Sequence, residues 1–489
     1  MKKILTISII ALSVWVISTF IIGNQTEEHL KSYIAKSNKL YQNNGISLKL
    51  LDYNKSFLTS IAQVEVNVKD PKVLKNLQST YKLPFVLDYS IEHGPLFFKN
   101  GFGIGLSKIE HTVNLSSLLQ DETKQNFLTS IGKDVLIESN ILISFLKEAH
   151  YNIWSEEIKF NKNGKAFHMT ALKIVGTSNL ETLKGSGEIK VEDITLTEEN
   201  SSNGIEIKNL LLNLSIDEVV DSSFVFGDFG LAVDNFIVKD DSSLKYKKID
   251  VAFKGKINNV RNDKTTMNSL FEGDIDFKNT LLPNEFKTLK TLYLKMNLKD
   301  LGIKGMLDFQ KSAQNMQEKQ TKLLTELQSG KSENMALLFT QLSKLQEEMS
   351  QQLIHALNDL LIKNKTNAMC QIEVETKDNK RSQSMIQVGY TGDIKFIGTT
   401  SEIRQEIQKK ILELISLNMD IELNKAHLKI IPNNQQLQQQ IQMGVLQGFV
   451  KENNESFSLN GSYKNRELII NDNNLTSIIL PFLMMATHF

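Results

Sequence analysis

Residues 60–68, SIAQVEVNV, show the pattern on which most of this chain is built. Apolar side chains recur at every second position, at Ala62, Val64, Val66 and Val68. Successive residues of a strand point to opposite faces of a sheet, so this spacing places the apolar side chains on one face. The stretch therefore predicts a half-buried β-strand with one packed face and one wet face.

The same alternation recurs between residues 102 and 306, where short polar turns separate the apolar runs. The clearest runs are Ile189 and Val191, Ile205 and Ile207, Ile249 to Phe253, and Leu292 to Leu298. Strands of this length joined by short turns are typical of antiparallel sheets with one packed face. The sequence therefore predicts a large, mostly antiparallel sheet.

The pattern changes between residues 308 and 365, where Gln, Lys and Glu become frequent. Apolar residues then recur at steps of three and four, which predicts a helix over 309–328 and a second over 332–363. Two interpretations of the second helix stay open. Its apolar stripe packs against the sheet, or it forms an interaction face for a partner helix through Leu338, Leu342, Leu345 and Met349.

The remaining segments predict shorter elements. They are a break or turn at 71–77, a strand at 85–91, a hairpin over 371–396, a helix at 402–417, a strand at 426–431, a helix at 437–450, a closing hairpin at 456–470 and a docked terminal segment at 478–486. The fold class is therefore α+β, with several amphipathic helices beside the sheet.

An apolar stretch opens the chain. Residues 4–22, ILTISIIALSVWVISTFII, run from Ile4 through Trp15 to Ile22 without a charge, Pro or Gly. As a helix the stretch is about 28 Å long, close to the hydrocarbon thickness of a bilayer. A cleavable signal peptide is the alternative, but the stretch is long for one and ends in a poor cleavage site. The stretch predicts an uncleaved transmembrane anchor.

The flanking charges predict the orientation of this anchor. Lys2 and Lys3 precede the stretch and are expected to stay in the cytoplasm, which sends the bulk of the chain to the other side of the membrane. We therefore expect three parts. They are a cytoplasmic stub with the anchor at 1–23, a strand-rich part at 24–306 and a helix-rich part with β-hairpins at 307–489.

Composition excludes several classes of function. The 489 residues carry a formal net charge of zero, which argues against nucleic-acid binding. The single cysteine, Cys370, cannot form an intramolecular disulfide. No histidine pair has the spacing of a helical zinc protease, and Gly101–Gly105 lacks the spacing of a phosphate-binding loop. We therefore expect no metal and no cofactor.

A motif in the first third resembles a known family. Tyr53, Phe57 and Ser60 precede a strand, and His93-Gly94-Pro95 follows the next one. This arrangement is similar to the N-terminal half of the YdgA-like family of bacterial proteins of unknown function. Lys-Ser stands at 55–56, where the family usually has Arg-Gly. The resemblance implies an envelope protein and implies no catalytic residues.

The end of the chain adds to this resemblance. Residues 448–450, GFV, and 463–471, YKNRELIIN, resemble the closing strand pair of the same family, with Asp472 where Gly is usual. Within the motif, His93 is expected to bond a backbone carbonyl beside a fixed Gly-Pro turn. A catalytic histidine would need a nucleophile and an orienting acid, and the sequence nominates neither.

The residues together favour a non-enzymatic protein that binds or scaffolds at the bacterial inner membrane. Its partner would be lipid, held on an apolar sheet face, or another envelope protein. Two hypotheses of other classes stay open. One is an envelope hydrolase, which a cleft of convergent His and carboxylate side chains would favour. The other is a homo-oligomer joined through the 332–363 helix.

Overall fold

A computed structural model gives the fold of this chain. It describes residues 2–477 apart from 42–44, 70, 99–101, 163, 199–202, 222–223, 240–247, 279, 281–287, 329–334, 393–401, 403–404, 406–409, 411 and 430–433. The side chains of residues 2–17 and of scattered helical positions also lie outside the description. The predicted terminal segment at 478–486 lies outside the described residues.

The chain divides into two compact units, Met1–Lys254 and Gly255–Phe489. The predicted division at residue 306 coincides with a change from strand to helix inside the second unit and stays a prediction. The strand β15 (Lys248–Arg261) contains the boundary between the units.

The first unit is an antiparallel sheet with three helices among its described elements. In chain order they are α1 (Lys2–Tyr41), β1 (Ile46–Lys55), β2 (Thr59–Val68), α2 (Pro71–Gln78), β3 (Phe85–His93), β4 (Leu96–Phe97), β5 (Gly103–Ile104), β6 (Ser107–Asn114), α3 (Asp121–Ile131), β7 (Leu136–Ile143), β8 (Glu148–Ser155), β9 (Ile158–Lys162), β10 (Lys165–Met169), β11 (Lys173–Asn179), β12 (Gly185–Glu198), β13 (Gly204–Asp221) and β14 (Phe224–Lys239).

Pairing in this unit follows the order β1–β2–β3–β6–β7–β8–β11–β12–β13–β14, and every neighbouring pair is antiparallel. The long strand β12 pairs with β11 along its first half and with β10 along its second half, and β9 pairs with β10. The alternation that predicted β2 places Ala62 and Val64 in the core. The prediction of a large antiparallel sheet is confirmed.

The second unit repeats this architecture with different helices. Its described elements are β16 (Thr266–Asp276), β17 (Leu289–Gly302), α4 (Ile303–Gln328), α5 (Met335–Leu360), β18 (Asn367–Thr376), β19 (Arg381–Tyr390), β20 (Ile415–Asn424), α6 (Asn434–Leu446), β21 (Lys451–Glu452), β22 (Ser456–Lys464), β23 (Glu467–Ile470) and β24 (Asn473–Asn474). The pairing order is β16–β17–β18–β19–β20–β22–β23–β24, with β21 beside β22.

Three local predictions are wrong. Residues 71–78 form α2 and not a turn, because Pro71 occupies the first helical position, where its missing N–H is not needed. Residues 425–429 form a 3₁₀ turn and not a strand, with His427 and Leu428 buried in it. The predicted end of the 402–417 helix is too late in the chain, because β20 begins at residue 415 and pairs with β19 there.

The predicted anchor falls within α1, a continuous helix of 40 residues. Within the described part of the chain, no helix combines the length and the hydropathy that a membrane span requires. The side chains of Ile4 and Trp15 lie outside the described residues, whereas Ile22 is buried. The second half of α1 packs on β1 and β3.

Candidate functional site

The motif residues Ser60 and His93 meet inside the first unit. Ser60 lies near the start of β2 and His93 ends β3, and the Ser60 Oγ and His93 Nε2 atoms are 2.8 Å apart. The His93 N–H donates to the carbonyl of Leu58 at 2.8 Å, which fixes the end of β3 against the β1–β2 turn. The two side chains are 2 % and 1 % exposed, so the pair is closed to solvent.

Helix α1 covers the Ser60–His93 pair. A Cβ atom added at Gly23 would lie 3.2 Å from His93 Cδ2 and 3.2 Å from Lys55 Cε. Contacts this short leave little room for a side chain, so Gly23 lets the helix lie directly on the imidazole. The buried residues Ile34 and Ser37 continue the contact face of α1 toward its C-terminal end. The helix and the histidine therefore form one packed contact.

The electrostatics of the site keep His93 neutral. Burial, followed by the nearby Lys55 cation, lowers the pKa of His93 from 6.5 to about 4. Its Nδ1 atom is buried and has no hydrogen-bond partner among the described residues. The expected bond to a backbone carbonyl is therefore wrong, because the imidazole bonds a serine hydroxyl instead.

This pair lacks what nucleophilic catalysis requires. A catalytic Ser–His pair needs an acid that orients the imidazole and a path for substrate to the hydroxyl. Within the described residues, no carboxylate bonds His93 Nδ1, and neither side chain is exposed. The arrangement is a polar contact that positions α1 on the sheet.

The other motif residues divide between the core and the surface. The Tyr53 hydroxyl is buried without a well-formed hydrogen bond, and burial raises its pKa, an effect that the nearby Ser60 hydroxyl partly offsets. Phe57 is exposed in the β1–β2 turn. The structure therefore brings Tyr53, Ser60 and His93 together and places Phe57 outside this cluster.

Gly94 and Pro95 have a backbone role. A Cβ at Gly94 would lie 1.8 Å from the carbonyl oxygen of Gly105, so no side chain fits there. The Gly94 N–H donates to Leu106 O at 2.8 Å, and the Gly105 N–H donates to Pro95 O at 3.1 Å. The Gly-rich segment that ends at Gly105 therefore forms a crowded strand pair.

A second Ser–His pair lies in the second unit. The Ser382 Oγ and His427 Nδ1 atoms are 2.5 Å apart, and the same hydroxyl accepts the Asn424 N–H at 2.8 Å. His427 is buried and its Nε2 lacks a well-formed hydrogen bond within the described chain. Sequence reasoning missed this pair, because the two residues are 45 positions apart and carry no motif.

One shallow cleft brings a histidine and carboxylates together. His168 Nε2 lies 2.6 Å from Glu157 Oε1, and its Nδ1 lies 3.9 Å from Asp193 Oδ2. Phe160 and Phe167 stack beside it, with ring centroids 5.1 Å apart. The cleft places a carboxylate within hydrogen-bond distance of a partly exposed histidine, which is the arrangement that a hydrolase site would need as a start.

A larger feature crosses β12, β13 and β14. Apolar side chains of the three strands stand opposite one another in four rows, here named the apolar rows. They are Ile189–Leu212–Leu231, Val191–Leu210–Val233, Ile194–Ile207–Phe236 and Leu196–Ile205–Val238. Leu214 and Phe229 extend them at one end and are 45 % and 42 % exposed.

The ladder has an irregularity between the second and third rows. In each of the three strands the apolar positions are two residues apart, except for one step of three residues at the level of Asn209. This step runs from 191 to 194 in β12, from 207 to 210 in β13 and from 233 to 236 in β14. Asn209 has a φ of 52°, and pairing is interrupted there on both sides. The register of both pairings is the same before and after this point. The last two rows therefore share a face with each other, and the first two rows share one face with Leu214 and Phe229.

The pairing relates this face to the Ser60–His93 pair. Directly opposite residues share a face, and an unbroken series of opposite residues runs from Ser60 to Leu214: Ser60, Ile91, Ile109, Ile141, Tyr151, Gly176, Gly187 and Leu214. Helix α1 covers this face at β1 and β3. Among the described elements, no helix packs along the face at β12, β13 and β14.

The chain is similar to a bacterial protein family over nearly its whole length. Residues 1–477 match a family described as "Bacterial protein of unknown function (DUF945)". The chain belongs to this family. The match covers the Ser60–His93 motif and the closing strand pair, so the resemblance to an uncharacterised bacterial family is confirmed. No curated protein and no solved structure matches the chain.

In this family member, the predicted interaction helix belongs to a helical hairpin. Helices α4 and α5 pack antiparallel, with Lys319 paired to Glu348 at 3.1 Å and Lys304 to Asp359 at 2.8 Å. Leu345 is buried and Met349 is half-buried, while the side chains of Leu338 and Leu342 lie outside the described residues. A partner helix for this face stays a prediction.

Proposed function

We propose that this protein is anchored in the bacterial inner membrane by its first helix and binds lipid acyl chains on its periplasmic sheet, without catalysing a reaction. The uncharged stretch from Ile4 to Ile22, preceded by Lys2 and Lys3, supports the anchor and its orientation. The apolar rows support the lipid ligand. Anchoring would place these rows close to their source of lipid.

The single observation that carries the proposal is the exposure of the apolar rows. Soluble proteins rarely leave a contiguous apolar face open to water, and such a face marks a binding site. Here Leu214 and Phe229 are exposed opposite each other on one side of Asn209, and Leu196 and Ile205 are exposed opposite each other on the other side. The face continues beneath α1, where it is covered, so the open part is the portion without a helix.

The chemistry of the rows favours hydrocarbon over a polar ligand. The backbone groups of β13 are used by the ladders to β12 and β14, so a ligand on this face meets side chains. The row positions are aliphatic or aromatic. Residues 187–191 span about 13 Å along the strand, long enough to lie along part of an extended acyl chain. Each methylene buried there contributes about 0.8 kcal/mol.

Site-specific photocrosslinking in cells tests the lipid ligand. The photoreactive residue p-benzoylphenylalanine is placed at Leu214 or at Phe229 of the full chain, and cellular phospholipid is radiolabelled. The matched control is Asn213, which neighbours Leu214 on the same strand and points to the opposite face. We expect labelled lipid adducts at 214 and 229 and none at 213.

Other outcomes separate the alternatives. Adducts of protein size at 214 and 229, without lipid label, would replace the lipid by another envelope protein. Equal labelling at 213 and 214 would mean that the lipid contacts are unspecific. The anchor is tested separately by the accessibility of introduced cysteines to a thiol reagent. The cysteines are placed in residues 2–22 and in the rest of the chain, and the reagent is added on either side of the membrane.

A second candidate, an envelope hydrolase, is favoured by the His168 cleft alone. Glu157 at 2.6 Å could orient the imidazole as a base for water. If the cleft is catalytic, His168→Gln abolishes hydrolysis of an ester-linked lipid or a peptidoglycan fragment by the purified chain. Retention of such activity in that variant, or its absence in the natural chain, removes this candidate.

A further inference from the structure

The hairpin that follows His93 extends beyond its neighbouring strands. The β3–β6 pairing of His93 with Ser107 continues in register through Leu96 with Ile104 and Phe97 with Gly103. Hydrogen bonds from Gly94 and Gly105 join the two pairs of strands. The neighbouring hairpin of β1 and β2 turns back before this point, so β4 and β5 project past it.

Large apolar side chains are exposed at this end of the sheet. Phe98 is 62 % exposed and Phe102 is 70 % exposed, with ring centroids 6.1 Å apart. Ile104 on β5 and Phe57 and Leu58 in the β1–β2 turn are exposed as well. These five residues are here named the apolar tip. Phe97, one residue from Phe98, is fully buried, so the exposure is specific to the tip.

Helix α1 leaves the sheet at the same end. Its Asn38 side chain bonds both backbone groups of Leu48 near the start of β1, at 2.8 and 2.6 Å. Gly23 lies beside Lys55 at the end of β1. The helix therefore runs antiparallel to β1, and its residues before Gly23 continue past the strand ends. That stretch of about 20 residues is about 30 Å long.

The apolar helix and the apolar tip thus share one end of the first unit. We propose that the apolar tip is a membrane contact that enters the interfacial layer of a phospholipid bilayer beside α1. This inference rests on the anchoring part of the proposed function and is independent of the lipid-binding rows.

A bilayer fits this surface better than a protein partner does. The tip adjoins the one uncharged stretch of the chain that is long enough to span hydrocarbon. Phe and Leu side chains are typical of protein surfaces that insert into the membrane interface, and four of the five tip residues are Phe or Leu. The exposed Lys55 at the same end suits anionic headgroups.

Fluorescence quenching in proteoliposomes tests the contact. The full chain carrying Cys370→Ser receives one new cysteine, Phe102→Cys, labelled with the dye NBD and reconstituted into vesicles of phosphatidylethanolamine and phosphatidylglycerol. Lipids spin-labelled near the headgroup are the quencher. The matched control is Val73→Cys, an exposed apolar position on α2 at the opposite end of the strands.

We expect strong quenching and a blue-shifted emission at 102, and neither at 73. Quenching should also fall at least twofold when Phe98→Ser and Phe57→Ser are added, since the tip then loses apolar area. A chain that floats with the vesicles but shows equal, weak quenching at 102 and 73 overturns the tip contact and leaves the anchor intact. A chain that does not float with the vesicles overturns the anchor itself.

Discussion

The two buried Ser–His pairs of this protein use the same contact in different surroundings. In the first unit, the Ser60 hydroxyl bonds His93 and also lies near the Tyr53 hydroxyl, and α1 covers the imidazole. In the second unit, the Ser382 hydroxyl serves both His427 and the Asn424 N–H. The Ser60–His93 pair lies where α1 packs on the sheet, whereas the Ser382–His427 pair stabilises the 3₁₀ turn at 425–429.

The charges around the two imidazoles also differ. Burial lowers both pKa values, but Lys55 lowers that of His93 further, whereas Asp378 and the Lys380 carbonyl oppose the shift at His427. A buried histidine next to a cation resists protonation more than one next to a carboxylate. The comparison indicates that the helix contact is more acid-sensitive than the local turn.

The largest effect is expected at Gly94, next to His93. Gly94→Ala places a Cβ 1.8 Å from a backbone oxygen, which the strand pair can relieve only by moving. We expect the first unit to lose about 3 kcal/mol or more. Hydrogen exchange of the full chain, read peptide by peptide, measures this. Gly461→Ala in the second unit meets only the flexible end of Met419 at 3.0 Å, and should change far less.

The second effect is the loss of stability in acid. The folded chain binds a proton at His93 at about pH 4 and the unfolded chain at 6.5, so the unfolded state binds more protons between these values. Stability of the first unit therefore falls as the pH drops through this range, by about 2 to 3 kcal/mol.

Hydrogen exchange at about pH 7.5 and about pH 4.5, corrected for intrinsic exchange, measures this loss. His93→Gln cannot titrate, so it should remove most of the acid-induced loss in the first unit while lowering stability at neutral pH. An unchanged acid response in that variant would assign the effect to other groups.

The third effect distinguishes the stability contributions of the Ser60 and Ser382 hydroxyls. Ser60→Ala leaves one buried imidazole nitrogen without its partner and should cost about 1 to 3 kcal/mol. Ser382→Ala leaves both the imidazole of His427 and the Asn424 N–H without theirs, so its unit should lose more. Equal losses would mean that the second hydrogen bond to Ser382 contributes nothing.

The smallest effects concern the neighbouring charges. Lys55→Gln removes a cation beside His93 and should raise the pKa of that histidine, whereas Asp378→Asn should lower the pKa of His427. Titration of ¹³C-labelled histidine side chains by NMR gives both directions. Salt should weaken the effect of Lys55, because its side chain is exposed. Shifts of the same sign would contradict the comparison.

Several elements could be read from the chain directly. The alternation at Ala62 and Val64 predicted β2, and the apolar steps at 335–360 predicted α5, because side-chain period reflects local backbone geometry. The turn at 425–429 was missed because five residues with alternating polarity fit a strand and a buried turn equally well.

The sequence by itself determined the strands, the amphipathic helices, the uncharged opening stretch and the family, since each depends on local pattern. Only the tertiary structure decided that Gly23 lies on His93, that Ser60 bonds it, and that apolar side chains of β12, β13 and β14 stand opposite one another in rows. These contacts join residues far apart in the chain. Their distances depend on strand register, and a shift of one residue would turn each side chain to the other face.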